Sequence, residues 1–490
     1  MAAASLVFTA VCPSCGAPVP FRSAASVLAV CEYCQTTVLR DADSVRDQGK
    51  MSAVLEDYSP LQIGSSGVLA GVGFSLIGRI QLKYSDGMWN EWYLLFEDGS
   101  NGWLADASGQ YTLTRPVGTV PTAPRFEQLS VNKPIFYKGR DYRVTDLRIA
   151  DCVGGQGELP FVVGQGWQAK VADLRKDTQF LTLDYSEGQP PQGFEGDAYA
   201  LTDLNMQLLR DADRIAASAG QVRGQMTSLS CPNCGSPVPY VVGVADRLVC
   251  PACRAEVAVT GDTATVLKTH KKLLSIKTLL QLGDQATIDQ QPYVVLGIAQ
   301  MNEVGEPTLW IEYLLYSVQA GFMWLVDEGQ GKWTQVNVLN SVPKQTGSTL
   351  FWMDKHWREQ YTYQSKVMYA IGAFNWRMKI GDVTRLQSFS SGSQTLTAES
   401  NANEMTWSWA RPVSDASVRQ WFGKPAAPKA AEVLGGSDQS DQHQKIFKWS
   451  AIILWVVNLP LVLFGSGSIG LLIVATVVLW VISLMAKGSR

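Results

Sequence analysis

Eight of the nine cysteines in this 490-residue chain fall into four Cys-x-x-Cys pairs, a spacing that suits metal coordination. CPSCGAPVPF begins at position 12 and CPNCGSPVPY at 231; CEYC follows at 31 and CPAC at 250. In both sets fifteen residues separate the second cysteine from the third. Cys12, Cys15, Cys31 and Cys34 therefore form one set, and Cys231, Cys234, Cys250 and Cys253 the other. Four thiolates around a tetrahedral ion leave no open position. The expectation is two structural Zn2+ ions, one per set, that fold small ribbons rather than activate water. Spacing alone does not separate zinc from an iron centre. Gly16 and Gly235 follow the first pair of each set, where a tight knuckle needs positive φ. Paired thiolates of this kind fit a reducing, cytoplasmic compartment.

Other chemistry is sparse. The histidines are His270, His356 and His443, far apart in sequence, and no HExxH, GxSxG, phosphate-loop or dinucleotide glycine motif is present. Cys152, in DCVGG, has no histidine to activate it and reads as an inert small residue. Acidic residues gather at Glu91, Glu97, Asp98 and Asp106, and again at Glu312, Asp327 and Glu328. Two carboxylates can serve as acid and base, but Glu97-Asp98 sits in a turn sequence where acids are common. No catalytic or cofactor-binding residue is assigned. Trp89, Trp92, Tyr93 and Trp103 are matched by Trp310, Tyr313 and Trp324; they read mainly as core, with a subset free to grip a ligand.

These residues sit in a chain that contains itself twice. Beyond the cysteines, FSLIGRIQ from Phe74 answers YVVLGIAQ from Tyr293 at the same offset of 219. WYLLF from Trp92 answers EYLLY from Glu312, and Gly102-Trp103-Leu104 answers Met323-Trp324-Leu325, with the offset creeping up through turn insertions. Alternating apolar strands around Glu97-Asp98-Gly99-Ser100 predict a hairpin. The fold expected is mainly β: a duplicated zinc ribbon plus a small antiparallel sheet or barrel module, followed by a transmembrane helical hairpin. The divisions are ribbon 10–40, β module 55–201, linking helix 202–222, ribbon 229–259, β module 274–422, linker 423–445 and two membrane helices in 446–487. Short helices are also expected within Asp41–Tyr58 and His270–Leu282.

The C-terminal expectation rests on Ala451–Phe464 and Ile469–Ala486, two apolar runs around Gly-Ser-Gly-Ser, with Lys445, Lys448, Lys487 and Arg490 outside them. It places both ends in the cytoplasm; a single crossing with a re-entrant first segment is the rival. Met1–Val11 lacks the basic start of a secretory signal. A net charge of −3 and pI near 5.8, with no basic block, argue against nucleic acid as a partner.

LQIGSSGVLAGVGFSLIGRIQL followed by WNEWYLLFEDGSNGWLAD resembles the bacterial family named domain of unknown function 4178. LQLGDQATIDQQPYVVLGIAQM with WIEYLLYSVQAGFMWLVD is similar to a diverged member, lacking the acidic glycine turn. The resemblance implies no particular reaction; it implies a part in a membrane-associated system. The expected function is a membrane-anchored cytoplasmic adaptor or sensor that binds a membrane-associated protein or a small ligand. The alternatives are an enzyme with its site in the first β module, or a noncatalytic subunit of a membrane channel or transporter complex.

Overall fold

The structure is a computed structural model. It describes residues 8–426 except 42–43, 51–53, 55–56, 85–86, 108, 164–166, 212–213, 216–227, 232, 240–246, 250–254, 261–262, 270–277, 373, 375–377 and 379. Residues 1–424 form one compact unit.

The first ribbon is built from β1 (Phe8–Val11), β2 (Pro18–Phe21) and β3 (Leu28–Val30), and β4 (Thr36–Asp41) and β5 (Ser44–Lys50) extend it. The first β module then runs β6 (Ser66–Leu69), β7 (Val72–Lys83), β8 (Met88–Phe96), β9 (Asn101–Ala107), β10 (Gln110–Thr119), β11 (Pro134–Tyr137), β12 (Arg140–Leu159), β13 (Gln168–Lys176), β14 (Gln179–Asp184) and β15 (Gln192–Tyr199). Strands β7 to β10 and β12 to β15 are two four-stranded antiparallel meanders. They join where β10 pairs with β15 and where β12 pairs with β7, giving a closed eight-stranded barrel. Closure removes the exposed edges that a flat sheet of this length would leave.

The second half begins with β16 (Ser228–Ser230), β17 (Pro237–Pro239), β18 (Arg247–Val249), β19 (Ala255–Thr260) and β20 (Thr263–Thr269). Its barrel uses β21 (Gln285–Ile288), β22 (Gln291–Glu303), β23 (Leu309–Ser317), β24 (Gly321–Gly329), β25 (Lys332–Val338), β26 (Lys344–Thr346), β27 (Thr349–Trp352), β28 (Lys355–Gly372), β29 (Val383–Ser391), β30 (Gln394–Ser400) and β31 (Met405–Ser414). Strands β22 to β25 and β28 to β31 repeat the first barrel's order, closed by β25–β31 and β22–β28. One helix, α1 (Asp415–Trp421), follows, capped by Ser414 accepting from the Ser417 N–H.

The seam between β7 and β12 requires glycine. A Cβ on Gly78 would stand 1.7 Å from the Glu158 carbonyl oxygen, and one on Gly157 would stand 2.2 Å from that of Ile77. Gly78→Ala is therefore expected to cost about 3 kcal/mol or more, read as a lower denaturation midpoint in urea; an unchanged midpoint would contradict the closed seam. The expected hairpin forms between β8 and β9, with Gly99 at φ +80°. In the second barrel Ser317 replaces the acidic turn, its hydroxyl accepting from the Ala320 N–H at 3.3 Å.

Several expectations are corrected. The mainly-β antiparallel part stands, but the transmembrane hairpin does not: no helix among the described residues is long and apolar enough to cross a membrane, and Ile446–Arg490 lies outside them. The membrane-inserted, multi-pass reading and its membrane-associated partner are withdrawn with it. Within Asp41–Tyr58, where a short helix was expected, Ser44–Lys50 is strand β5 paired with β4; residues 42–43, 51–53 and 55–56 lie outside the described residues. The linking helix expected over 202–222 does not begin at Thr202: Leu201–Leu204 is a 3-10 turn and residues 205–211 are not helical, whereas Arg214 and Ile215 are, with the Ile215 N–H donating to the Asp211 carbonyl at 3.0 Å; residues 212–213 and 216–222 lie outside the described residues. Leu201 and Leu204 are buried against Trp92 and Leu94, and Asn205 and Leu208 adopt positive φ, which no helix permits. The helix expected over His270–Leu282 falls mainly outside the described residues.

Candidate functional site

The first cysteine set closes as a metal site. The sulfurs of Cys12, Cys15, Cys31 and Cys34 lie within 4.8 Å of one another, with Cys12–Cys34 and Cys15–Cys31 each at 3.6 Å. A tetrahedral ion at the usual zinc–sulfur bond length needs sulfurs about 3.8 Å apart, so the donor set fits. Two knuckles aim the thiols. The Gly16 N–H donates to the Cys12 carbonyl at 2.9 Å, with Gly16 at φ +77°; the Gln35 N–H donates to the Cys31 carbonyl at 2.9 Å, with Gln35 at φ +61°.

In the second set Cys231 and Gly235 repeat the first knuckle, the Gly235 N–H donating at 2.7 Å. Cys250 and Cys253 lie outside the described residues, and among the described residues only the first set forms a four-cysteine cluster. The expected second ribbon site and its ion are therefore not carried forward. Burial pushes the Cys152 thiol up to about 11, holding it protonated.

The ribbon is tied to the first barrel. Strand β3 pairs with the end of β12 through Ala29–Glu158 and Leu28–Leu159. The Glu158 carboxylate, 1% exposed, accepts from the Arg22 N–H at 2.7 Å, the Ser23 N–H at 3.1 Å and the Ser26 hydroxyl at 2.7 Å. It also pairs with the Arg22 guanidinium at 3.3 Å.

The second feature is a cavity of about 1550 Å³ lined by both barrels. Ten carboxylate side chains line it against three cationic ones, Arg148, Arg175 and Lys332, so its interior is strongly acidic. Strand alternation puts Trp89 and Glu91 on the cavity side of β8, while Trp92, Leu94 and Phe96 pack on the other face with Phe74, Leu76 and Leu104. The Trp89 indole N–H donates to Glu91 Oε1 at 2.8 Å. In the second barrel the Trp310 indole donates to Glu312 Oε1 at 2.7 Å. Trp103, Phe161 and Trp167 form an aromatic wall, with centroids 5.9 and 5.4 Å apart.

These carboxyls line the cavity, Glu91, Asp173 and Glu312 half-buried and Glu399 more open. Burial, with Asp173, Asp184 and Asp106 adding repulsion, pushes Glu91 up to about 8. Burial also raises Asp173, which accepts from the Thr182 hydroxyl at 2.7 Å, and Glu312. It pushes Glu399 up to about 7, with Glu312 and Glu404 adding to the effect. Asp146, raised by burial to about 7, pairs at 2.7 Å with Arg148, which also grips Glu404 of the second barrel and covers the Tyr84 ring at 3.8 Å.

The pH dependence has a definite sign. An unfolded glutamate titrates near about 4.3, so between that value and 8 the folded chain holds a proton at Glu91 that the unfolded chain has lost. Stability therefore rises as pH falls from 8.5 to 6. Thermal unfolding should show a higher Tm at pH 6 than at 8.5, and Glu91→Gln should flatten the slope; a wild-type Tm that climbs with pH would contradict the assignment.

The acidic residues singled out in the sequence separate. Only Glu91, Glu312 and Glu328 reach the cavity. Asp98 lies at the exposed hairpin, held low by the Ser100 hydroxyl. Asp106 is buried on the opposite face, where it accepts from the Ser59 hydroxyl. Asp327 accepts from the Gly329 N–H at 2.8 Å. Sequence reasoning missed Asp146, Asp173, Asp184 and Glu399. The missed signal is QFLTLD at Gln179–Asp184 against QTLTAE at Gln394–Glu399. These occupy β14 and β30, the same place in the two barrels. Of the aromatics, Trp92, Tyr93 and Tyr313 are core, whereas Trp89, Trp103, Trp310 and Trp324 line the cavity.

Fold and sites together define a duplicated antiparallel barrel protein with a four-cysteine ribbon and an acidic, aromatic interior. The family described as a domain of unknown function, DUF4178, matches residues 62–199 and 281–415, more than half of the chain, and the chain belongs to it. No curated protein matches the chain.

Proposed function

We propose that this protein binds an amine-bearing organic cation inside its barrels, with Glu91 as the anchoring carboxyl of the first module. The observation that supports this reading most is the cavity's makeup: a large excess of carboxylates between aromatic walls. Carboxylates neutralise an ammonium or guanidinium group, and indole and phenol faces attract the same charge. A cation beside Glu91 favours its ionised form, so binding expels the proton that burial retains there. Cys12, Cys15, Cys31 and Cys34 would hold Zn2+ in a closed site whose contribution is folding.

A second reading is an enzyme of the first β module. A carboxyl pushed to about 8 is poised to give and take a proton near neutral pH, as a general acid or base acting on the bound amine. Titrating the chain with benzylammonium while following tryptophan fluorescence tests the binding. Saturable quenching should weaken at least tenfold in Glu91→Gln and stay unchanged in Glu97→Gln at the outer turn. Equal quenching of all three proteins, or none, would sink the reading.

A further inference from the structure

Arg175 stands apart from the other charges of the first barrel. It lies on β13, half-buried, and lines the cavity. Its guanidinium sits over the Phe180 ring, 4.9 Å from the centroid, and the two residues are direct neighbours across the β13–β14 pairing. Among the described residues it makes no hydrogen bond or ion pair, and its Nε is closed off from solvent with no acceptor in reach. A guanidinium donates from every nitrogen and accepts nothing, so leaving one unpaired at the wall of a protein cavity is costly.

The nearby acids do not supply the partner. Asp146 turns to Arg148, which also holds Glu404. Asp173, two residues back on the same face of β13, accepts from the Thr182 hydroxyl at 2.7 Å. Directly across the β12–β13 pairing stands Arg143, a second cation whose guanidinium donates to Asn132. Like charges placed opposite one another repel, and an anion nearby relieves that repulsion. Phe180 holds the planar fork in place, and a carboxylate matches such a fork with two parallel hydrogen bonds. The second barrel lacks the device: its β29–β30 pairing sets Ser390 opposite Thr395 where the first sets Arg175 opposite Phe180.

We infer that the ligand of the first barrel is a zwitterion, whose ammonium end meets Glu91 and whose carboxylate meets Arg175, as in an amino acid with its two charges at opposite ends. This rests on the reading of Glu91 as the ammonium's anchor, and calorimetry on the full chain separates the two claims. Two matched pairs of probes serve: hexylammonium against 6-aminohexanoate, and benzylammonium against 4-(aminomethyl)benzoate. In each pair the second compound adds a carboxylate, on a flexible spacer in one and a rigid spacer in the other. The wild type should bind at least one zwitterion tenfold or more tighter than its matched amine. Arg175→Met should erase that preference, and Arg175→Lys, which keeps the charge but not the fork, should retain part of it. The wild-type comparison needs no variant to fold. Amines that bind while both zwitterions bind no more tightly overturn the inference and leave the Glu91 reading standing, as does a preference that survives in Arg175→Met. No binding of any of the four compounds overturns both.

Discussion

Stripping the ion from the four-cysteine cluster will unfold the first ribbon. Its core is small: Ala10, Val19, Phe21, Ala29 and Val38 around the buried thiols of Cys12 and Cys31. So little apolar surface cannot offset the entropy of ordering about thirty residues. A structural zinc ion contributes on the order of 10–16 kcal/mol to folding such a unit. Hydrogen exchange read by mass spectrometry after treatment with a strong chelator should therefore show loss of protection across Phe8–Asp41. Protection in the second barrel, at β23 and β24, should persist. Cys15→Ser should act in the same direction without chelator. A ribbon that keeps its slow amides after chelation would refute the structural role.

The second large effect concerns Glu158. Its carboxylate is nearly fully buried, and it satisfies two backbone N–H groups, one hydroxyl and one guanidinium from the segment 22–26. Glu158→Ala leaves those donors facing a void. Breaking a buried charge pair in this way costs about 3–5 kcal/mol. Glu158→Gln should cost less, because one acceptor remains. The same residue pairs with β3 and abuts Gly78 at the barrel seam, so the damage should reach the barrel and not the ribbon alone. Urea denaturation followed separately by metal release and by tryptophan fluorescence checks this. Both transitions should move to lower urea in Glu158→Ala; a shift in metal release alone would show that the ribbon is only loosely attached.

Local features of this fold were readable in sequence and long-range ones were not. The knuckles, the Glu97–Ser100 hairpin and the duplication each depend on residues close together or repeated in register. Barrel closure depends on β7 meeting β12 at Gly78 and Gly157, and no local pattern announces that pairing. The cavity was hidden for a related reason. Glu91 and Asp173 alternate with apolar neighbours as solvent-facing residues would, so the polar face of each strand reads as outward although here it turns inward. Over residues 202–211 the sequence misled because Leu204, Met206 and Leu209 fall at roughly helical spacing. Leu204, with Leu201 before it, instead strap the outside of the first barrel. The C-terminal apolar runs lie outside the described residues, and no described helix is long and apolar enough to cross a membrane.

The central claim is that a cation displaces a proton from a buried carboxyl, and calorimetry measures that directly. Benzylammonium would be titrated into the chain at pH 7 in two buffers of different ionisation enthalpy, and the difference in heat gives the protons exchanged. With Glu91 titrating near 8, binding at pH 7 should release close to one proton at that site, and Glu91→Gln should abolish that release. Binding with no proton release in either protein would contradict the account.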